Sequence, residues 1–233
     1  MHALVLDRTH NVLVTDRGLP DIQVDGPRLI GAVEAHFGRL GITLPAAAGS
    51  RPSTDGGRDF AFVIDRVDAP PGHAWRPLRE VAGDDALWGI YTALMLGGYE
   101  PPVRTVDVWS FGDKPEMAAQ LAHLVVNGDK RATMGWIDAA ERDGTPLAYP
   151  GGVSVVTDGF GFPRCVLRST DVREYAFRDV PAASAAAEAE GDHTYEDWRE
   201  GHEAYFTREA ARLGLAFDDS ARISVEHFEV LWP

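Results

Sequence analysis

The chain has 233 residues, 45% of them apolar, and carries 22 Lys+Arg against 36 Asp+Glu for a formal charge of −14. That length gives one large domain or two small ones, with enough apolar content to bury a core. So acidic a balance argues against gripping duplex DNA, which needs a basic face, and against docking on an anionic membrane, while leaving room for a pocket that admits one nucleoside or a few nucleotides.

The lone cysteine, Cys165, excludes an intrachain disulfide and a cysteine-rich zinc site. It lies in the strand-like run Arg164-Cys165-Val166-Leu167 and reads as a buried, inert thiol. Met1-His2-Ala3-Leu4 has no basic region leading into a long apolar run, so no signal peptide is expected. No stretch approaches the ~20 apolar residues of a membrane span. A cytoplasmic protein is the expectation.

The first elements are a strand pair, Ala3 to Asp7 and Asn11 to Thr15, joined by a polar turn. Leu29, Val33, Phe37 and Leu40 then fall at helical spacing, and Gly41 closes that helix. Residues 45–57, rich in Ala, Gly, Ser and Pro, read as a loop. Phe60 to Ile64 is a buried strand, and Asp84 to Leu96 a second helix stopped by Gly97-Gly98. Pro101-Pro102 marks a stiff connector, where a boundary between domains at 1–100 and 105–233 is expected. Asp113 and Glu116 form a capping-box pattern for a helix carrying Ala118, Leu121, Ala122 and Val125, ended by Gly128. Strands are predicted at 154–156, 165–167 and 225–231. Between the last two lie an Ala/Glu stretch, Ala182 to Glu190, and a helix with Trp198, His202, Tyr205 and Phe206. Strands interrupted irregularly by helices predict an α+β barrel or mixed sheet rather than a doubly wound parallel sheet.

Two segments could carry chemistry. Gly128-Asp129-Lys130-Arg131-Ala132-Thr133 follows a helix and turns on a glycine. A basic pair there is well placed against the negative end of the helix dipole, which is the structural reading. The functional reading sets Lys130 beside the Thr133 hydroxyl at a cleft, where a partly desolvated lysine assists deprotonation. The second segment, Ala187 to Asp192, is acidic. It reads as a loop into the helix N-cap or as the source of a catalytic acid.

Taken together, these segments give residues 108–233 a resemblance to the ASCH domain, a relative of the PUA fold. The motifs that carry it are Phe111-Gly112-Asp113, Gly128 to Thr133, Asp158-Gly159 with Pro163, Glu188 to Asp192, Trp198 with His202 and Phe206, and Phe228-Glu229-Val230. The resemblance implies a PUA-like β-barrel with flanking helices around a cleft for a nucleobase or RNA. Some bacterial members are amidohydrolases that deacetylate N4-acetylcytidine; others are ribonucleases. In the deacetylating type a lysine, a threonine three residues on and a later glutamate form the site. These fall on Lys130, Thr133 and Glu190, with Arg131, Trp136, Trp198 and His202 expected to contact the substrate. The arginine that type carries two residues after the threonine is here Gly135, followed by Trp136, which could stack on a base instead or sit in the core.

The first hundred residues resemble, more weakly, a small α/β Nudix domain. The hairpin 3–15, the helix 29–40, Gly41-Ile42, the strand 60–64 and Trp75-Arg76-Pro77-Leu78 carry that likeness. A working Nudix helix needs a carboxylate cluster for divalent metal, but Glu34 is the only carboxylate in the corresponding stretch, Glu34 to Ile42. A catalytically dead domain is expected, serving packing, ligand sensing or a homodimer contact. The eight histidines show no HxH or HxxxH spacing, so no metal and no cofactor are expected. Three readings follow: an enzyme with Thr133 as nucleophile, Lys130 as base and Glu190 at the leaving amine; a non-catalytic module for a modified base or short single-stranded RNA; and an interaction protein working through its Nudix-like half.

Overall fold

A computed structural model describes residues 2–9, 11–15, 18–20, 22, 29–52, 58–104 and 107–233. It divides into two compact units, residues 1–118 with 155–163, and residues 119–154 with 164–233. The elements of the first part are β1 (Ala3–Asp7), β2 (Asn11–Thr15), α1 (Leu29–Arg39), β3 (Gly49–Pro52), β4 (Arg58–Ile64), β5 (His73–Pro77), α2 (Leu78–Val81) and α3 (Asp85–Met95). They are followed by β6 (Asp107–Ser110), α4 (Pro115–Asn127), β7 (Ala132–Trp136), α5 (Ile137–Asp143), β8 (Val153–Thr157) and β9 (Pro163–Ala176). The last are α6 (Ala182–Glu188), α7 (Tyr195–Leu213) and β10 (Arg222–Trp232).

In the first unit the strands run β3-β4-β1-β2-β5. The β1–β4 pair is parallel and the other pairs are antiparallel. β1 is buried along its whole length because both faces are covered. Ala3 and Val5 meet Val33 and Phe37 of α1 in one apolar cluster, while α3 packs against β1, β3 and β4. Asp84 caps α3 by accepting from the Ala86 and Leu87 amides. The hairpin and both helices lie where the apolar periodicity puts them. β3 does not: it forms inside the stretch expected as a loop, whose residues 53–57 lie outside the described residues.

The second sheet has the order β6-β8-β9-β10-β7. β9 and β10 pair antiparallel from Arg222↔Ala176 to Trp232↔Val166, with an irregularity between His227 and Phe228. A bulge of this kind bends a ladder, and the sheet curls into a half-barrel. The fold is mixed α+β, as the interrupted strand pattern predicts. Strand alternation sets the two faces of the second unit. Met134 and Trp136 of β7 and Ile223 and Val225 of β10 pack with Phe177, Trp198 and Phe206 in its core. Thr133 and Glu226, paired across β7 and β10, point to the opposite face.

α7 starts at an N-cap, Thr194, whose side chain accepts from the Asp197 amide, and it ends on Gly214 in the left-handed region. Trp198, Phe206 and Ala210 are its buried residues, one face of the helix. Among the described residues no helix is long and apolar enough to cross a membrane.

Candidate functional site

The turn after α4 builds one side of the site. Gly128 takes φ +98°, which lets the Asp129 and Lys130 amides fold back onto the Leu124 carbonyl at 3.0 and 3.2 Å. Arg131 completes the helix end: its Nη1 donates to the Val125 and Lys130 carbonyls at 2.9 and 2.7 Å. The guanidinium expected to contact substrate thus caps α4, the structural role the sequence also allowed.

Lys130 extends inward and is fully buried. Its Nζ donates to Glu188 Oε1 at 3.0 Å and to Glu190 Oε1 at 2.5 Å. These glutamates are two residues apart and would diverge on a continuing helix. The chain turns sharply between them because Ala189, the C-cap of α6, takes φ 51°. A left-handed alanine carries a strain of roughly 1–2 kcal/mol, and the turn it makes brings both carboxylates to Lys130.

Glu188 is 1% exposed and holds the cluster together. Its Oε2 accepts from the Trp198 indole Nε1 at 2.7 Å and faces His202 Nε2 at 3.1 Å. His202 Nδ1 lies 2.9 Å from the Trp198 carbonyl. Both partners of the imidazole are acceptors, an arrangement that favours the protonated ring. Burial alone would lower the His202 pKa, but the bond to the Glu188 carboxylate raises it above its ordinary value. Burial would likewise raise Glu188; the Lys130 ammonium, with His202 and the Trp198 N–H, holds its carboxyl well below the usual range instead. Lys130 and, once protonated, His202 offset the two carboxylates, which is how buried charge is tolerated.

Glu190, at 27% side-chain exposure, carries this network to the surface. The ASCH resemblance implies one site for Lys130 and Glu190, and here their side chains meet across sixty residues. Thr133 is not a member of the hydrogen-bonded cluster. It is half-buried on β7, directly opposite Glu226, on the face away from Met134 and Trp136. Glu226 is itself buried and accepts from Ser169 Oγ at 2.6 Å; burial raises its pKa and the serine bond opposes that shift.

Trp136 takes the core position, one of the two left open for it, and Trp198, expected to contact substrate, is buried as well. Trp136 is in the core, 4% exposed, against Phe206 and Phe217, with its indole donating to Asp138. Trp198 is equally buried and is covered by Tyr195 and by His202 at centroid distances of 5.3 and 4.7 Å. Neither ring has a face left to stack on a base. His202 is a largely buried histidine turned toward Glu188. Glu188 was not singled out in the sequence, where it stands in a run of alternating Ala and Glu; its neighbour Glu190 and the aromatic helix carried the only signal. Cys165 is buried, and burial pushes its thiol up to about 12. Among the described residues no group of three or more His, Cys, Asp or Glu side chains is arranged to hold a metal ion.

A mixed α+β fold with a curled half-barrel sheet is that of a PUA-like domain. The sequence model of the ASCH domain matches residues 107–232, more than half of the chain, and the chain belongs to that family. An ASCH domain from Lactobacillus crispatus JV V101 is similar at 28% identity and TM-score 0.55, covering 62% of this chain and 93% of its own. A protein from Enterococcus faecalis V583 is also 28% identical, with TM-score 0.53, covering 66% and 87% respectively. Comparison with curated proteins gives no match.

Proposed function

We propose that the ASCH domain, taken as residues 105–233, recognises a nucleobase, presented by a free nucleoside or by short single-stranded RNA, at the Lys130–Glu190 pair. The observation that carries this reading is the fixed carboxylate of Glu190. It is anchored from below by a fully buried ammonium and is partly open to solvent. A carboxylate held in one orientation accepts from the amino or imino groups of a base edge without first losing side-chain entropy. The charge of −14 favours a small ligand over a long polyanion. Residues 1–100 are the degenerate Nudix-like partner of this domain, with Glu34 the only carboxylate on α1.

The test is calorimetric titration of the full chain with cytidine and N4-acetylcytidine. Glu190→Gln is expected to weaken binding at least tenfold, since a charge-assisted hydrogen bond contributes about 1.5–3 kcal/mol. Absence of binding to either nucleoside and to short single-stranded RNA refutes the reading.

A second reading, deacetylation of N4-acetylcytidine, is favoured by the meeting of Lys130 with Glu190. It requires Thr133 as nucleophile, and chromatography of an N4-acetylcytidine incubation tests it. Gly135 lies on the Thr133 face of β7, and a Cβ built there meets nothing within 4 Å. Gly135→Arg is therefore expected to fold, and under this reading it raises turnover. Unchanged turnover in a folded Gly135→Arg protein, with Thr133→Ala equally active, refutes it.

A further inference from the structure

A separate cavity of about 280 Å³ opens in the second unit between α6 and the β9–β10 pair. Strand alternation builds its wall: Asp171, Arg173 and Tyr175 are every second residue of β9, and Val225 and His227 every second residue of β10. Pro181 and Ser184, at the start of α6, line the other side. The side chains of Arg173 and Asp171 are 65% and 45% exposed, whereas Ser184 is 7% exposed, so the cavity is open at the strands and closed at the serine. At that closed end Ser184 Oγ lies 3.3 Å from His227 Nε2. Asp171 is the register partner of His227 across the β9–β10 ladder, and Arg173 Nε holds the Asp171 carboxylate at 2.8 Å.

We propose that this cavity is a hydrolytic site for small acyl esters, with Ser184 as nucleophile and His227 as its base. A serine hydroxyl is a weak nucleophile until an adjacent imidazole accepts its proton. Here the two are within reach, at the bottom of a cavity sized for a small molecule. Asp171 stands opposite His227 in the ladder, with its carboxylate paired to Arg173. Arg173 offers a cation at the mouth, which selects esters carrying a carboxylate on the acyl part.

The step balances without any further reagent. Ser184 Oγ bonds to the ester carbonyl carbon as its proton passes to His227 Nε2. The bond from that carbon to the alkoxy oxygen breaks, and the leaving oxygen takes the proton from Nε2. Water then attacks the acyl-serine, giving one proton to Nε2 and releasing the acid as Ser184 Oγ recovers that proton. One ester and one water yield one acid and one alcohol.

The site lies apart from the Lys130 cluster and shares no residue with it, so its test is independent of nucleoside binding. The full chain is incubated with p-nitrophenyl acetate and with mono-p-nitrophenyl succinate, and the acylated peptide is located by mass spectrometry. Acylation at Ser184 is expected. The rate of p-nitrophenol release should fall about 10²-fold or more in Ser184→Ala and in His227→Gln, the range for loss of a nucleophile or its base. Arg173→Ala is expected to lower the succinate-to-acetate rate ratio about tenfold. Ser184→Ala exchanges a small helical residue for the best helix former, and tryptophan fluorescence verifies that each variant is folded. Acyl groups found on lysines but not on Ser184, or ester hydrolysis that survives Ser184→Ala, overturns the proposal.

Discussion

Replacing Glu188 by alanine removes the carboxylate that joins Lys130 Nζ at 3.0 Å, Trp198 Nε1 at 2.7 Å and His202 Nε2 at 3.1 Å. Lys130, with none of its side chain exposed, is then left with Glu190 as its remaining carboxylate partner in the cluster, and the indole N–H loses its acceptor. Breaking a buried pair from one side costs about 3–5 kcal/mol, and an orphaned buried donor about 1–3 kcal/mol. The two losses share one site and do not add fully, so about 4 kcal/mol is the working figure. That is a large share of the roughly 5–15 kcal/mol that holds a protein folded. It corresponds to about three powers of ten in the folding equilibrium, or a fall in Tm of about 8–16 °C. Urea unfolding followed by tryptophan fluorescence measures it directly. Glu190→Ala gives the contrast: its carboxylate is 27% exposed, and about 1 kcal/mol is expected. A Glu188→Ala loss below about 1 kcal/mol, or one equal to that of Glu190→Ala, would refute the view that Glu188 holds the cluster together.

Acidity tests the same network from another side. The raised His202 pKa means its contribution to stability is complete below about 6.5 and is lost as pH rises through the folded value. His202→Gln should flatten the fall of Tm above neutral pH, and an unchanged slope would count against an imidazolium. Glu188 is depressed, so its contribution is present above about 4.3 and disappears as pH falls through the folded value; Glu188→Gln should therefore flatten the acid limb of the Tm profile. Glu226 has the opposite sign for a carboxylate: its raised pKa favours the folded state only at low pH. Glu226→Gln keeps an acceptor for Ser169 without the charge, so it should raise Tm at pH 7 and lose that advantage near pH 4. Cys165, buried with its thiol pushed up to about 12, should not react with a disulfide reagent in the folded protein and should titrate as one thiol in urea.

Much of the fold was legible because apolar periodicity is local. Runs such as Ala3 to Asp7 and Phe60 to Ile64, and the helical spacing from Leu87 to Leu94, became elements with nearly the expected bounds. β3, Gly49-Ser50-Arg51-Pro52, was not legible: it has no apolar alternation and is a strand only because β4 pairs with it. β7 was hidden by the basic pair before it. Its period-two pattern of Ala132, Met134 and Trp136, which buries Trp136, spans only five residues and is too short to stand out from the loop before it. The joining of Lys130 to Glu190 was reached through a resemblance. Nothing local in Ala-Glu-Ala-Glu distinguishes a buried carboxylate from a solvated one. Glu188 is buried because a lysine 58 residues away neutralises it, and no window along the chain contains both.

That separation also bears on how long the folded state lasts. Bringing Lys130 and Glu188 together closes a loop of 58 residues, at an entropic cost of about 3–4 kcal/mol before either charge gains from the other. Neither charge can leave water until α6, α7 and β7 have assembled around them, so the ion cluster belongs to the end of folding. Interactions absent from the transition state act on the rate of unfolding and barely on the rate of folding. The cluster therefore sets the lifetime of the second unit: without Glu188 the chain would reach its native shape at nearly the same speed and leave it far sooner.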